Sequence, residues 1–336
     1  MIPIDYHDAL RSVLARYPAI ARPCAEPESL ENAGGLSGAQ LWRFPSGRGM
    51  LVARAWPPEG PPRRALEMIH QWIGRAGRVG FLSLPLASLD GRTIHEEAGR
   101  LWEVSPWLSG APPALGPAER TQVRAAFAGL GAVHQALRVE GVHGTSPGLR
   151  DRLLELEWWL SAGFTALEAA LGPSEQDAAA ALARQWLADA RRAAPTWHGL
   201  LRDAAGATVW CQPCLRDVRP EHFLFNGERL TGLVDFGAMG VECVSGDLAR
   251  LLSEWLGTDR SLRAEGLAAY AAIRSLDETE TVLIDAFERS AALLGAGRWA
   301  SWHFLERRPF RDPDAVRLGL RKGVDRLAQR LASDLS

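Results

Sequence analysis

Between Cys211 and Gly237 the chain reads CQPCLRDVRPEHFLFNGERLTGLVDFG. The pattern predicts a loop, a short strand, a tight turn and a second strand. His222–Phe225 and Arg229–Phe236 are rich in aromatic and aliphatic residues, and Asn226-Gly227 between them is a two-residue hairpin signal. Counting pairs outward from that turn sets Phe225 opposite Glu228, Leu224 opposite Arg229 and His222 opposite Thr231. Continued, the same ladder puts Val218 opposite Asp235 and so brings Asp217 near Asp235. Faces of a strand alternate with period two, so His222, Thr231, Leu233 and Asp235 point to one side. Two carboxylates and an imidazole gathered at one end of a hairpin make a site, not a core.

Leu215-Arg216-Asp217, then His222 five residues after that Asp, the hairpin, and Asp235-Phe236-Gly237 together resemble the catalytic segment of a known family. It is that of the protein-kinase-like small-molecule phosphotransferases, the aminoglycoside, choline and homoserine kinase relatives. Their pattern is an Asp in H-x-D, an Asn five residues later, a hairpin, and an Asp that opens D-x-G or D-F-G. The match is specific at Asp217, Asp235 and Gly237. It departs at Leu215, which stands where the family has His, and at His222, which stands where it has Asn. The resemblance implies an α+β, bilobal fold. Residues 1–107 would form a small β-rich N-lobe with a leading helix and a glycine-rich loop, and residues 108–336 a larger helical C-lobe carrying the catalytic loop and the DFG hairpin.

At 336 residues the chain has room for such a unit with an ample core. A hydrophobic content of 47% with 23% charged residues describes a globular protein. The net charge of −2 gives no electrostatic reason to expect nucleic acid or a membrane surface as partner. No run of eighteen apolar residues occurs, and Met1-Ile2-Pro3-Ile4-Asp5 lacks the basic start of a signal peptide, so a cytoplasmic location is expected. Of 38 basic residues only Lys322 is a lysine, and the only asparagines are Asn32 and Asn226. Cys211-Gln-Pro-Cys214 matches C-x-x-C, which reads either as a redox pair or half a zinc site, or as small apolar residues leading into the catalytic loop. No second C-x-x-C or H-x-x-x-H offers further zinc ligands.

Ile4–Tyr17 reads as an amphipathic helix stopped by Pro18, and Pro23–Glu31 as a linker. Gly34-Gly35-Leu36-Ser37-Gly38 precedes a strand at Gln40–Phe44, Ser46-Gly47 makes a turn, and Met50–Trp56 forms the next strand. Small residues in such a loop let backbone N–H groups approach phosphate oxygens, though the same glycines also suit an ordinary turn. In the family, the following strand carries a lysine for the α- and β-phosphates. Arg54 in Leu51-Val52-Ala53-Arg54 matches it, and a guanidinium is longer and planar, so the exchange is not conservative. The alternative is a solvated arginine on an exposed strand face.

Pro61–Gly77 reads as the helix whose glutamate pairs with that strand residue in kinases. Glu67 is its only acid, and His70 competes for the position. Phe81–Leu89, Thr93–Glu97 and Gly99–Val104 read as strands. Leu101–Trp107 resembles the hinge, so the backbone of Glu103, Val104 and Ser105 is expected to meet the adenine. Helical periodicity then covers Pro117–Leu137, Arg150–Leu171, Ser174–Ala204, Ser245–Leu256, Leu262–Ile273, Thr279–Leu294 and Ala315–Ala332. His134 on the apolar stripe of the first of these reads as a hydrogen-bonded core residue, and Ser174 with Asp177 resembles a capping box. Asp247 opens the helix after DFG, either as its cap or, by the resemblance, as an anchor of the catalytic loop. The aromatic stretch Trp299–Arg308 reads as the border of an acceptor pocket or as inter-helix packing.

The resemblance implies a phosphotransferase using ATP or GTP on a hydroxyl of a small-molecule acceptor. Asp217 would be the base, and Asp235 a ligand of Mg²⁺ or Mn²⁺. His222, in the place of the second metal ligand, offers a nitrogen where Mg²⁺ prefers oxygen. Gly34, Gly35, Ser37, Gly38 and Arg54 would hold the phosphates, with Asp247 and Glu67 as structural support. The other reading is a catalytically silent kinase-like nucleotide-binding or scaffold protein, motivated by Arg54, Leu215 and His222. A protein kinase fits less well, because no A-P-E-like segment follows DFG.

Overall fold

The computed structural model describes residues 6–30, 38–172, 177–310, 312 and 314–334. Gly34, Gly35 and Ser37 of the glycine-rich loop lie outside the described residues, as does Ser174. The α+β class expected from the sequence is observed, with antiparallel strands in the N-terminal part and helices dominating the C-terminal part. Strands give way to helices between Pro106 and Arg120. The chain groups into two compact units.

The first unit takes in residues up to Glu140, Leu215–Gly240 and Glu254–Ser275. Its sheet contains β1 (Glu28–Ser29), β2 (Gln40–Ser46), β3 (Gly49–Ala55), β4 (His95–Glu97) and β5 (Arg100–Pro106), in the order β1-β2-β3-β5-β4 and antiparallel throughout. Period-two alternation divides each central strand between two faces. Leu51, Ala53 and Ala55 of β3 and Trp102 and Val104 of β5 join Trp42 and Phe44 in a core roofed by α1 (His7–Ala15). Leu10, Val13 and Leu14 of α1, with Tyr17 beyond it, complete that core. Each Leu or Val side chain so buried contributes about 1.5–3 kcal/mol. The intervening residues Val52, Arg54, Glu103 and Ser105 are left on the opposite face. There α2 (Arg63–Arg75) buries Leu66, Ile69, His70 and Ile73.

Two sequence expectations fail in this sheet. Pro23–Glu31 is not a plain linker, because β1 pairs Glu28 with Arg43 and Ser29 with Trp42. Phe81–Leu89 forms no strand; Pro85 has no N–H to give a ladder, and the segment makes an isolated bridge from Leu82 to Leu233 and scattered bonds, among them Leu86 N to the Val104 carbonyl and Leu89 N to the Arg16 carbonyl. Within the same unit α3 (Arg120–Leu137) packs on α8 (Arg260–Ala271). His134 is buried there with Nδ1 2.9 Å from the Tyr270 hydroxyl, as a core histidine should be.

The second unit holds Gly141–Cys214, Val241–Ser253 and Leu276–Ser336. Its small sheet has the order β10-β7-β6, formed by β6 (Val142–Thr145), β7 (Thr208–Cys214) and β10 (Gly240–Cys243). The sequence reading took Cys211–Cys214 as loop, yet both cysteines sit on β7. Both are buried and in no disulfide, and burial pushes the Cys211 thiol up to about 11. A thiol held protonated is a poor redox nucleophile, which favours the packing reading for Cys211. Helix α4 (Pro147–Trp158) continues through a π-turn at Trp159–Gly163 into α5 (Phe164–Leu171). α6 (Ala178–Gly206) starts from Asp177, whose carboxylate accepts from Ala180 N at 2.6 Å, so this Asp is the cap itself. α7 (Val244–Leu251), α9 (Glu278–Ala300) and α10 (Asp314–Asp334) complete the unit. Among the described residues no helix is long and apolar enough to cross a membrane.

Candidate active site

The hairpin consists of β8 (Phe223–Asn226) and β9 (Arg229–Leu233), but its register differs from the expected one. Asn226 pairs with Arg229, so the two loop residues are Gly227 and Glu228. Gly227 has φ +61 and Glu228 does not share a positive φ, the sign pattern of a turn with glycine in its first position. A bulge between Leu224 and Phe225 then shifts the ladder again, giving Leu224–Gly232 and Phe223–Leu233. His222 therefore does not pair with Thr231; it ends a 3₁₀ turn at Pro220–His222. Its carbonyl accepts from Val234 N at 3.0 Å, which fixes it beside Asp235 by another route.

The hairpin is tied to the chain leaving β5. Ala111 and Phe225 exchange two backbone bonds of 2.9 and 2.8 Å, and Thr231 Oγ1 donates to the Ser109 carbonyl at 2.7 Å. Gly110 makes this approach possible: it has φ +126, and a Cβ there would lie 2.5 Å from Thr231 Oγ1. Sheet, α2 and hairpin thus border one cavity of about 700 Å³.

Asp217, His222 and Asp235 all line this cavity, as does Arg54 from the sheet. His222 Nε2 is 3.6 Å from Asp235 Oδ2. Burial pushes the imidazole below its ordinary value; Asp235 and Asp217 pull the other way without prevailing, so the ring is neutral at pH 7. Its Nδ1 is buried and has no hydrogen-bond partner among the described residues. Asp235 has φ +65 and Arg216 φ +64. Left-handed backbone at residues other than glycine costs about 1–3 kcal/mol each and is retained where the surroundings impose it, often at sites.

Arg54 lies between two carboxylates, with Nε 3.7 Å from Glu103 Oε1 and Nη1 3.7 Å from Asp235 Oδ1. Its guanidinium stands over the Trp56 ring at 4.8 Å. Glu103 is its direct register partner on β5. His70 of α2 closes on Glu103 with Nε2 2.7 Å from Oε2, and its Nδ1 is 2.7 Å from Thr93 Oγ1. Burial would raise the Glu103 pKa, but the His70 hydrogen bond and the Arg54 charge hold it below the usual carboxylate range.

Glu67 has no part in this cluster. It is exposed and pairs with Arg63 at 4.0 Å, because it falls off the buried stripe of α2 that carries His70. Val104 turns its side chain into the core, and its carbonyl already accepts from Leu86 N, whereas Ser105 faces the cavity. Gly38, with φ +69, is the one residue of the glycine-rich set within the described chain. Asp247 is buried in the first turn of α7, in the second unit.

Three features escaped the sequence reading. Arg219 Nε donates to Asp217 Oδ1 at 3.2 Å, and its Nη1 lies 3.7 Å from Glu221. Burial disfavours the Arg219 cation, and the neighbouring Asp217 outweighs it. The Glu103 side chain faces Arg54, which alternation against Trp102 and Val104 could have signalled. Trp56 packs against Gly237, where a Cβ would lie 2.5 Å from the ring. The donor set around Asp235 suits a divalent cation: one carboxylate with a neutral imidazole at its side, the latter fitting softer ions than Mg²⁺.

Solved structures share this fold. An aminoglycoside phosphotransferase from Alicyclobacillus acidocaldarius subsp. acidocaldarius DSM 446 superposes with TM-score 0.69 at 18% identity, covering 96% of this chain and 93% of its own. A spectinomycin phosphotransferase in complex with ADP and spectinomycin gives TM-score 0.67 at 12% identity, covering 99% of both chains. A choline/ethanolamine kinase family protein from Mesorhizobium loti gives 0.58 at 19%, covering 98% of both. No curated protein matches in sequence. The model of the phosphotransferase enzyme family, APH, matches residues 30–280, most of the chain, and the chain belongs to that family.

Proposed function

We propose that the chain transfers the terminal phosphoryl group of ATP or GTP to a hydroxyl of a small molecule. The observation that carries this reading is the convergence of Asp217, Asp235 and Arg54 on one cavity large enough for a nucleotide. Phosphoryl transfer needs positioning and charge neutralisation more than covalent chemistry, and this is what the side chains offer. Asp217, steadied by Arg219, accepts the proton of the acceptor hydroxyl. Arg54 meets the phosphates from the sheet, and the glycine-rich loop Gly34, Gly35, Ser37 and Gly38 supplies backbone N–H groups. Asp235, with His222 beside it, would hold the divalent cation, which when bound neutralises charge on the phosphates. The backbone of Glu103, Val104 and Ser105 would meet the base, with the Val104 carbonyl already accepting from Leu86 N.

ADP in a spectinomycin phosphotransferase, and AMP-PNP with Ca²⁺ in an amicoumacin kinase of the same fold, support a nucleotide and a divalent cation here. The deciding experiment is a phosphate-transfer screen of hydroxylated amines, sugars and amino acids with ATP and GTP, run separately with Mg²⁺ and Mn²⁺. Transfer to one class that is lost in Asp217→Asn supports the reading. Nucleotide binding without transfer to any acceptor favours the silent alternative, for which Arg54, Leu215 and His222 are the motive.

A further inference from the structure

Arg54 has two acidic neighbours with different surroundings. Asp235 is about half exposed, at 49%, and belongs to the hairpin; the Glu103 side chain is 13% exposed and is braced from behind. A carboxylate only accepts hydrogen bonds, so His70 must carry its hydrogen on Nε2 to reach Glu103. Its Nδ1 lies 2.7 Å from the Thr93 hydroxyl, which can donate to or accept from it. The result is one chain in which Thr93 is bonded to His70, His70 donates to Glu103, and Glu103 faces Arg54. It links the loop before β4, helix α2, strand β5 and strand β3.

Core packing gives no reason for this arrangement. The apolar side of β5 is filled by Trp102 and Val104, and Glu103 is a buried charge on the cavity side. Such a charge is costly unless paired. The 3.7 Å separation from Arg54 is too long for a hydrogen bond, which leaves the guanidinium N–H groups free to turn to another anion.

We propose that Glu103, oriented by His70, is the positioning residue for Arg54 in the phosphate-binding face of the cavity. The acid that braces the strand cation thus comes from the neighbouring strand, and α2 contributes an imidazole in place of a carboxylate. This rests on the phosphotransfer reading. An arginine side chain has many rotamers, and a fixed carboxylate beside it limits the entropy lost when phosphate binds.

The test is a double-mutant cycle read by nucleotide KM, by kcat, and by the nucleotide-induced rise in Tm. Glu103→Gln should raise nucleotide KM about tenfold and shrink the Tm rise, with a smaller effect on kcat. In an Arg54→Ala background the same substitution should change KM little, because the residue it positions is gone. His70→Leu should lose more than His70→Gln, which can still donate to Glu103. Thr93→Val, a mild change, should raise KM about two- to threefold and supplies the answer if Glu103→Gln does not fold. Additive effects of Glu103→Gln and Arg54→Ala, or an unchanged KM in both Glu103→Gln and Thr93→Val, would overturn the positioning role while leaving phosphotransfer intact. A wild-type protein that neither binds nucleotide nor transfers phosphate removes both.

Discussion

Arg54 and Asp235 face each other across the cavity with 3.7 Å between Nη1 and Oδ1. The residue proposed to hold phosphate and the one proposed to hold a cation are therefore neighbours. A nucleotide arriving with its cation would replace one ion pair by two, each cation-anion contact now made to the ligand. That exchange sets the first expectation.

Arg54→Ala should lower nucleotide affinity about tenfold or more, since a charge-assisted contact to phosphate is lost. Arg54→Lys should recover part of it, because charge remains while the planar fork does not. The measurement is the Tm shift produced by ATP or GTP with Mg²⁺ and with Mn²⁺. An Arg54→Ala shift equal to wild type would remove Arg54 from the phosphate site.

Asp217→Asn should reduce kcat by about 10²–10⁴ and leave nucleotide affinity nearly unchanged, because a general base touches the acceptor and not the phosphates. Asp235→Asn should damage turnover and cation-dependent nucleotide binding together. Single-turnover rates and nucleotide titrations on both variants separate the roles. Substantial turnover in Asp217→Asn would mean another group takes the proton.

His222 offers a neutral nitrogen beside Asp235, and nitrogen suits Mn²⁺ better than Mg²⁺. Turnover should therefore be faster with Mn²⁺, and His222→Asn should move the preference towards Mg²⁺. Rates in the two ions, compared for wild type and variant, decide it. Equal rates that the substitution leaves unchanged would confine His222 to a packing role.

Gly237→Ala should destabilise the first unit by about 1–3 kcal/mol, since its Cβ would lie 2.5 Å from the buried, inflexible Trp56 ring. Trp56 also lies under Arg54, so nucleotide affinity should fall with stability. Denaturant midpoints and nucleotide Tm shifts on the same variant test the coupling. A stable variant with full affinity would show that the ring can move aside at no cost.

His95 gives a pH signature independent of the cavity. It is buried against Tyr17, its Nε2 has no partner among the described residues, and burial pushes its pKa below the ordinary 6.5. Its folded pKa is depressed, so the unfolded chain binds the proton first as pH falls. The contribution of the neutral ring to stability is complete above 6.5 and is lost as pH drops below that value. Wild-type Tm should fall between pH 7.5 and 5.5 more steeply than that of His95→Phe, by differential scanning calorimetry. Parallel curves would mean that the ring stays solvated enough to titrate normally.

What the sequence carried was local. Met50–Trp56 and Gly99–Val104 were legible as strands from their own residues, and Arg54 was found by its match to the family's lysine. The amphipathic stripe of α1, the spacing from Asp217 through the hairpin to Asp235, and the family they belong to were likewise legible in neighbouring residues. Where the reading went astray, distant segments chose. Asn226-Gly227 pointed to a turn, yet the turn formed on Gly227-Glu228 and a bulge shifted the ladder, so His222 met Asp235 through a 3₁₀ turn and not through the predicted pairing. Glu67 was the only acid in its helix, but 3.6-residue periodicity turns it to solvent and presents His70 instead. Which acid faces Arg54 was decided by the β3–β5 register, set by the burial of Trp102 and Val104 under α1 on the far side of the sheet. Periodicity is a property of one segment and can be read from it; register and ion-pair partners depend on which segments bury their apolar faces together, and that is settled only in the folded chain.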